Sequence, residues 1–149
     1  MEDLQLTLHR QVEDTVVAGA NCLLGGELLD TEGFFYPVTL LTEVTPTMCA
    51  FREETFGPIM AVIKAENHEH ALALANDTDY GLGASVWSKN VALAEHLAMQ
   101  LEAGQVAING IVKTDPRLPS GGIKGSGYGR ELGPHGIREF VNAKQVWIK

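Results

Sequence analysis

Residues 59–108 read IMAVIKAENHEHALALANDTDYGLGASVWSKNVALAEHLAMQLEAGQVAI, and short apolar runs in this stretch alternate with helix-like patterns. The apolar runs predict three strands, at residues 59–63, 84–87 and 106–108. Between these runs, Asn67 and Asn90 can each begin a helix by accepting a hydrogen bond from an amide of its first turn. Strands and helices that alternate over about 50 residues predict βαβ crossovers and a parallel sheet with helices packed on it.

The residues before this stretch predict one more helix and two extended segments. An apolar face recurs every four residues, at Leu4, Leu8, Val12 and Val16. Gly19 follows where the C-cap glycine of that helix would fall. Residues 22–24 are apolar and predict a buried strand. Residues 34–44 are rich in aromatic and β-branched side chains and predict an extended segment, which Pro37 places at a sheet edge.

Downstream of residue 108 the composition shifts. Residues 104–136 are rich in glycine and show little helical or strand pattern, which is typical of long loops that are either functional or disordered. Residues 134–140 predict a short helix. Residues 141–148 predict a terminal strand that contains Trp147.

Composition limits the classes of function. The chain has 149 residues, 45% apolar and 20% charged, so we expect one globular domain with a real core. Nineteen acidic and 11 basic side chains give a net charge of −8, which disfavours binding to nucleic acid. No apolar run approaches the roughly 20 residues of a membrane span, and the acidic N-terminus is unlike a signal peptide. Cys22 and Cys49 form no CxxC motif, which favours a reducing, cytoplasmic setting.

The first candidate site is the acidic motif Glu53-Glu54-Thr55-Phe56-Gly57-Pro58, which leads into a predicted strand. A carboxylate in this place can accept hydrogen bonds from the vicinal hydroxyls of a ribose, and the aromatic ring can pack against a flat ring. The simpler interpretation is an acidic turn with a core phenylalanine.

The second candidate is the glycine-rich loop at residues 121–130, with sequence GGIKGSGYGR. Its spacing matches neither a P-loop nor GxGxxG, so we predict a tight, backbone-led loop that packs against another part of the protein.

The remaining candidates predict no metal site and no catalytic residue. His68 and His70 are two residues apart and point to different sides of a helix, so a solvated first turn is expected. Cys22 is expected to be an inert buried thiol. Arg52 could lower the pKa of Cys49, but no histidine is near it in sequence, so a role as nucleophile is not expected.

Taken together, five motifs in order resemble the NAD(P)-dependent aldehyde dehydrogenase family. They are Gly19-Ala20 with Gly25-Gly26, Gly33-Phe34 and Pro37; Glu53 to Pro58; Ala75-Asn76 with Tyr80-Gly81-Leu82; Gly104 with Asn109; and Gly121 to Glu131. The segment Asp115-Pro116-Arg117-Leu118-Pro119 and residues 136–142 are similar to the succinate-semialdehyde dehydrogenase group. The resemblance covers nearly all of the chain but only the last third of a family member.

The resemblance implies an α/β fold, namely the three-layer parallel-sheet part of the family's catalytic domain. All of residues 1–149 would belong to its C-terminal part, and residues 139–149 would form an oligomerisation strand. It implies that Glu54 holds the nicotinamide ribose and that Phe56 packs beside the nicotinamide. Residues that would line the aldehyde pocket are Asn109, Thr114 and Ser120. The family usually has phenylalanine at the position of Ser120, so this chain lacks that aromatic wall.

The resemblance also implies a function for the complete enzyme, which oxidises an aldehyde such as succinate semialdehyde to its acid with NAD or NADP. The family's nucleophilic cysteine, glutamate base and nucleotide-binding domain have no counterpart here, so we expect this chain alone to be inactive and to bind no cofactor. Pairing through residues 141–148 would give a homo-oligomer. The alternative is a stand-alone, non-catalytic assembly module, since an unpaired strand edge can bind a like chain or a complete homologue.

Overall fold

The computed structural model describes residues 2–149, which form two compact units, one through Leu74 and one over Ala75–Lys149. Chain length alone favours one domain, whereas the structure divides the chain into these two units. The elements of the first unit are α1 (Glu2–Val17), β1 (Asn21–Leu24), β2 (Thr39–Thr42), α2 (Cys49–Arg52) and β3 (Ile59–Ala61). A third helix, α3 (His68–Asn76), spans the boundary. The elements of the second unit are β4 (Tyr80–Gly81), β5 (Gly83–Val86), α4 (Val91–Ala98), β6 (Gln105–Ile108), β7 (Ile123–Lys124) and α5 (Gly133–Glu139).

Helix α1 packs through only part of its predicted apolar face. Leu8 and Val12 are buried, whereas Leu4 and Val16 are exposed. Gly19 has a φ of 114°, as predicted for a helix C-cap, and its amide donates to Val16 O at 2.9 Å.

The sheet of the first unit has the order β1-β2-β3, with β1 antiparallel and β3 parallel to β2. The prediction that residues 34–44 lie at a sheet edge is wrong, because β2 is the central strand. Pro37 lies before β2 and therefore removes no hydrogen bond from it. The crossover from β2 to β3 contains the single turn of α2.

The core of the first unit lies between α1 and the sheet. Its buried members are Val12, Ala20, Leu41, Val44 and Met48. The prediction of a buried strand at residues 22–24 is wrong, since all of β1 is exposed. The expectation that residues 59–63 are covered on both faces is also wrong, because Met60 in β3 is 64% exposed. Both are edge strands, and an apolar run does not reveal which of its faces will be covered.

The second unit contains the predicted βαβ crossover. β5 and β6 are parallel, with Gly83 opposite Gln105, and α4 connects them. Asn90 caps α4 as predicted, because its side chain accepts from Leu93 N at 3.1 Å. Asn67 caps α3 in the same way, accepting from His70 N at 2.8 Å.

The mixed α/β class is therefore confirmed, but the described strands do not form one parallel sheet. They form three sheets, and two of these contain antiparallel pairs, β1 with β2 and β4 with β7. Periodicity identifies strands but not their ladder partners, which explains the difference.

The glycine-rich stretch is irregular apart from β7 and a bridge between Ser120 and Glu131. Helix α5 confirms the short helix predicted at residues 134–140. The terminal strand predicted at residues 141–148 is not formed within the described chain, since these residues have no ladder partner there. The side chain of Trp147 is 77% exposed.

Candidate functional site

The acidic motif connects α2 to β3. Glu53 is the C-cap residue of α2 and its amide donates to Cys49 O at 2.9 Å. Pro58 precedes β3, and its carbonyl accepts from Thr39 N at 2.9 Å, which joins the motif to the central strand. The motif is thus held at the amino end of a short strand, with a helical turn before it.

Helix α1 lies under the motif and contacts it from one face. Leu8 packs against Gly57 so closely that a Cβ on this glycine would overlap the leucine side chain. The Gln11 side-chain amide donates to Glu53 Oε2 at 2.9 Å and to Glu54 O at 3.3 Å. The Thr15 hydroxyl accepts from Ala50 N at 3.0 Å. Positions 8, 11 and 15 share one helix face, so a single element positions the whole turn.

The two adjacent carboxylates have different surroundings. Hydrogen bonds from Gln11 and, secondly, from the Cys49 thiol hold the pKa of Glu53 below its usual value. Among the described residues the Glu54 carboxylate makes no hydrogen bond or ion pair, and it is exposed. Glu53 therefore belongs to the scaffold, whereas Glu54 has all its acceptor positions available for a ligand.

Phe56 lies two residues beyond Glu54 and is 75% exposed. The simpler interpretation of the motif, a turn with a core phenylalanine, is therefore wrong. An exposed ring beside an available carboxylate fits a ligand that carries a flat ring next to vicinal hydroxyls.

The environments of both cysteines differ from what the sequence predicts. Cys22 is exposed, not buried, because β1 is an edge strand. Cys49 is half-buried. Burial and, secondly, the charge of Glu53 raise the pKa of the Cys49 thiol to about 11. The suggested lowering of this pKa by Arg52 is wrong, and a thiol with a raised pKa is a weak nucleophile at neutral pH.

The second unit contains an open cleft of about 1320 Å³. Ser120 lines it, as do the exposed rings of Tyr128 and Phe140. Asn109 and Thr114 lie outside this lining, and both are exposed. The structure therefore places one of the three predicted pocket residues in the cleft. The predicted cofactor residues belong to the other unit.

The glycine-rich loop packs against the unit's own backbone, as predicted. Lys124 Nζ donates to Asn76 O at 2.9 Å and to Thr78 O at 3.1 Å, and it lies 2.6 Å from Glu102 Oε2. Arg130 Nη1 donates to Gly122 O at 2.9 Å. Both cations are thereby engaged with the protein itself, which argues against a phosphate-binding role.

Sequence reasoning missed Gln11, and it quoted Asn76 as part of a family motif without predicting its structural role. The Asn76 side chain accepts from Glu102 N and donates to Gln100 O, at 2.9 Å each, and so ties the end of α3 to the turn before β6. A polar residue on an otherwise apolar helix face, as Gln11 is on α1, was the available signal.

His68 lies 2.9 Å from Glu69 at the exposed start of α3, which confirms the predicted solvated turn. Within residues 2–149 no three metal-binding side chains come together. None of the helices described there is both long and apolar enough to cross a bilayer.

The βαβ crossover and the acidic turn define an α/β protein with a candidate nucleotide-binding motif. Comparison with known proteins shows its family. The model of the aldehyde dehydrogenase family matches residues 3–146. A probable NADP(+) succinate-semialdehyde dehydrogenase from Synechocystis sp. is 53% identical over 146 residues, which cover 98% of this chain and 32% of that protein. Succinate semialdehyde dehydrogenase Sad from Escherichia coli is 49% identical and covers 97% of this chain and 31% of its own length.

A solved structure gives the same result. Succinic semialdehyde dehydrogenase from Streptococcus pyogenes, in complex with NADP+, matches with a TM-score of 0.93 and 35% identity over 99% of this chain and 32% of that chain. This chain belongs to the aldehyde dehydrogenase family. It spans about a third of the length of the curated relatives that it matches.

Proposed function

We propose that residues 1–149 act as the C-terminal part of the catalytic domain of an aldehyde dehydrogenase that oxidises succinate semialdehyde to its acid. The proposal is supported by family membership and by two relatives whose names specify succinate semialdehyde. In that complete enzyme these residues would form part of the three-layer, parallel-sheet catalytic domain that the resemblance implies.

The observation that carries the proposal is the contrast between Glu53 and Glu54. The carboxylate of Glu53 is held by Gln11, while that of Glu54 is exposed and unpartnered within residues 2–149. A free carboxylate beside an exposed ring suits the ribose and the nicotinamide of NAD or NADP. The cofactor would supply the hydride acceptor of the reaction. Glu54 would accept hydrogen bonds from the ribose hydroxyls, and Phe56 would cover one face of the adjacent ring.

The aldehyde would be enclosed by residues of the second unit. Ser120 lies in the cleft, so it is the best placed of the three predicted pocket residues to contact substrate. Asn109 would act mainly through the backbone that it supports, because both ends of its amide are bonded to Ser88. Thr114 stays a prediction.

We expect this chain alone to be inactive, because neither cysteine has the environment of an activated nucleophile. The first experiment measures NAD(P)H absorbance with the 149-residue chain and succinate semialdehyde. A second uses a complete enzyme in which this chain replaces the matching third of the Synechocystis relative. We expect turnover only in the second case.

In that chimaera, Glu54→Gln should raise the KM for NADP+ roughly 10- to 100-fold, because a charged hydrogen-bond acceptor is lost. The matched control is Glu95→Gln, which changes an exposed carboxylate on α4. Turnover by the chain alone, or an unchanged KM in Glu54→Gln, would contradict the proposal.

A second candidate function is assembly. The side chains of Phe140, Trp147 and Ile148 are between 77% and 92% exposed. Large exposed apolar patches usually mark interaction sites. The segment at residues 141–148 would pair as a strand with a second copy of this chain or with a complete homologue. Turnover of the chimaera together with a monomeric chain would favour the first candidate.

A further inference from the structure

We infer that Gln11 is a positioning residue for cofactor binding, which sets the orientation of Glu54 through the backbone of the acidic motif. The inference rests on the proposed function of Glu54. It concerns a residue more than 40 positions earlier in the chain, as the sequence separation of 42 between Gln11 and Glu53 shows.

The contact of Gln11 with the motif is buried and double. The residue is only 5% exposed, and its Nε2 donates both to Glu53 Oε2 at 2.9 Å and to Glu54 O at 3.3 Å. A buried amide with two partners is costly to leave unpaired, so it is expected to keep this geometry. The donor thus reaches the backbone of the very residue whose carboxylate is free.

A second side chain on α1 fixes the other end of α2. This helix has only four residues, and its N-cap residue, Met48, makes no side-chain hydrogen bond. Thr15 is fully buried and accepts from Ala50 N at 3.0 Å, so it satisfies an amide of the first turn that would otherwise lack a partner. Gln11 and Thr15 are one helical turn apart and therefore hold both ends of α2.

The geometry leaves little freedom between two fixed points. The carbonyl of Glu54 is held by Gln11, and Gly57 lies against Leu8. Only Thr55 and Phe56 lie between them. Because the direction of the Glu54 side chain follows its backbone, loss of the Gln11 amide should loosen the carboxylate without removing it.

A double-mutant cycle in the chimaeric enzyme tests this inference. Gln11→Leu keeps a side chain of similar size but removes the donor. We expect it to raise the KM for NADP+ about 5-fold or more, with a smaller effect on kcat. If Gln11 acts through Glu54, the same substitution should change the KM little in the Glu54→Gln background, whereas a general structural effect would add to it.

The matched control is Gln5→Leu. Gln5 is on the same helix, and its side-chain amide also donates to the chain's own backbone, at Phe35 O, which lies outside the acidic motif. Its substitution should leave the KM unchanged. Additive effects of Gln11→Leu and Glu54→Gln would overturn the inference.

A measurement on the 149-residue chain separates this inference from the proposed function. Gln11 is the main cause of the lowered pKa of Glu53. An NMR titration should therefore show a higher pKa for Glu53 in Gln11→Leu than in Gln5→Leu. No difference would overturn the inference while leaving the proposed function intact, whereas an unchanged KM in Glu54→Gln would overturn the proposed function and, with it, the role of Gln11 in cofactor binding.

Discussion

Asn109 and Ser88 exchange two hydrogen bonds between the end of β6 and the turn after β5. Ser88 N donates to Asn109 Oδ1 and Asn109 Nδ2 donates to Ser88 O, each at 2.9 Å. Asn109 has a φ of 52°, in the left-handed region that asparagine tolerates better than most residues. The backbone N–H of Asn109 also donates to Val86 O at 2.8 Å. Asn109 therefore supports the two parallel strands.

The first prediction follows from this exchange. Asn109→Ala should lower the free energy of unfolding by about 2–3 kcal/mol, because two hydrogen bonds are lost and alanine disfavours the left-handed region. Asn109→Gly loses the same hydrogen bonds without the strain and should cost roughly 1 kcal/mol less. Urea denaturation of the unsubstituted chain and of the two variants measures both losses of stability. Equal losses in the two variants would show that the positive φ has no cost.

The second prediction concerns the reactivity of the two thiols. The raised pKa of Cys49, about 11 against an ordinary value of 9.0, leaves roughly 100-fold less thiolate near pH 8 than in a model thiol. Iodoacetamide should therefore label exposed Cys22 first and Cys49 much later. Mass spectrometry of peptides over time follows each site. Labelling of Cys49 as fast as a model thiol would contradict its raised pKa and reopen its role as a nucleophile.

The third prediction is a loss of stability at alkaline pH. Folding raises the pKa of Cys49, so its contribution is fully present below pH 9 and is lost as the pH rises through about 11. Cys49→Ser should remove this part of the pH dependence. Tyr36, whose pKa is also raised by burial, contributes with the same sign in both proteins and cancels in the comparison. Parallel stability curves for the two proteins between pH 8 and 11 would refute the assignment.

The fourth prediction concerns Lys124, whose ammonium group bridges Glu102 and two backbone carbonyls. Lys124→Met should cost about 2–3 kcal/mol of stability, because the carbonyls of Asn76 and Thr78 lose a charged donor. Lys113→Met, a change at an exposed lysine, is the control and should cost less than 0.5 kcal/mol by the usual behaviour of surface sites. Similar losses of stability in both variants would count against a structural role for Lys124.

The fifth prediction concerns association through residues 141–148. At concentrations of tens of micromolar, sedimentation velocity should show a dimer or a larger oligomer, and Trp147→Glu should shift it toward monomer. Val17→Glu changes another strongly exposed apolar residue, at the end of α1, and should leave the distribution unaltered. A clean monomer of the unsubstituted chain would exclude this role for the segment.

Local patterns in the sequence predicted the helices and their ends. Asn67 and Asn90 cap α3 and α4 as predicted because the capping interaction joins residues only three positions apart in the chain. Gly19 adopts its positive φ for an equally local reason. The family resemblance, carried by motifs in a fixed order, was likewise readable without coordinates, and the family is confirmed.

Partners far apart in the chain could not be predicted in this way. Periodicity did not show that β1 would be an exposed edge strand, that β3 would pair with β2, or that Tyr80 would face Lys124 across a short antiparallel pair. These choices depend on which backbone groups meet after the chain folds, and each strand has several chemically equivalent candidates.

The acidic motif shows the same division most clearly. Sequence by itself determined that two carboxylates precede an aromatic residue and a Gly-Pro turn. Only the tertiary structure decided that Glu53 belongs to the scaffold and that Glu54 remains available. Gln11 lies on a helix that is far from the motif in sequence, and its side chain bonds to just one of the two carboxylates. A hydrogen bond depends on position in space, and a sequence pattern records only position along the chain.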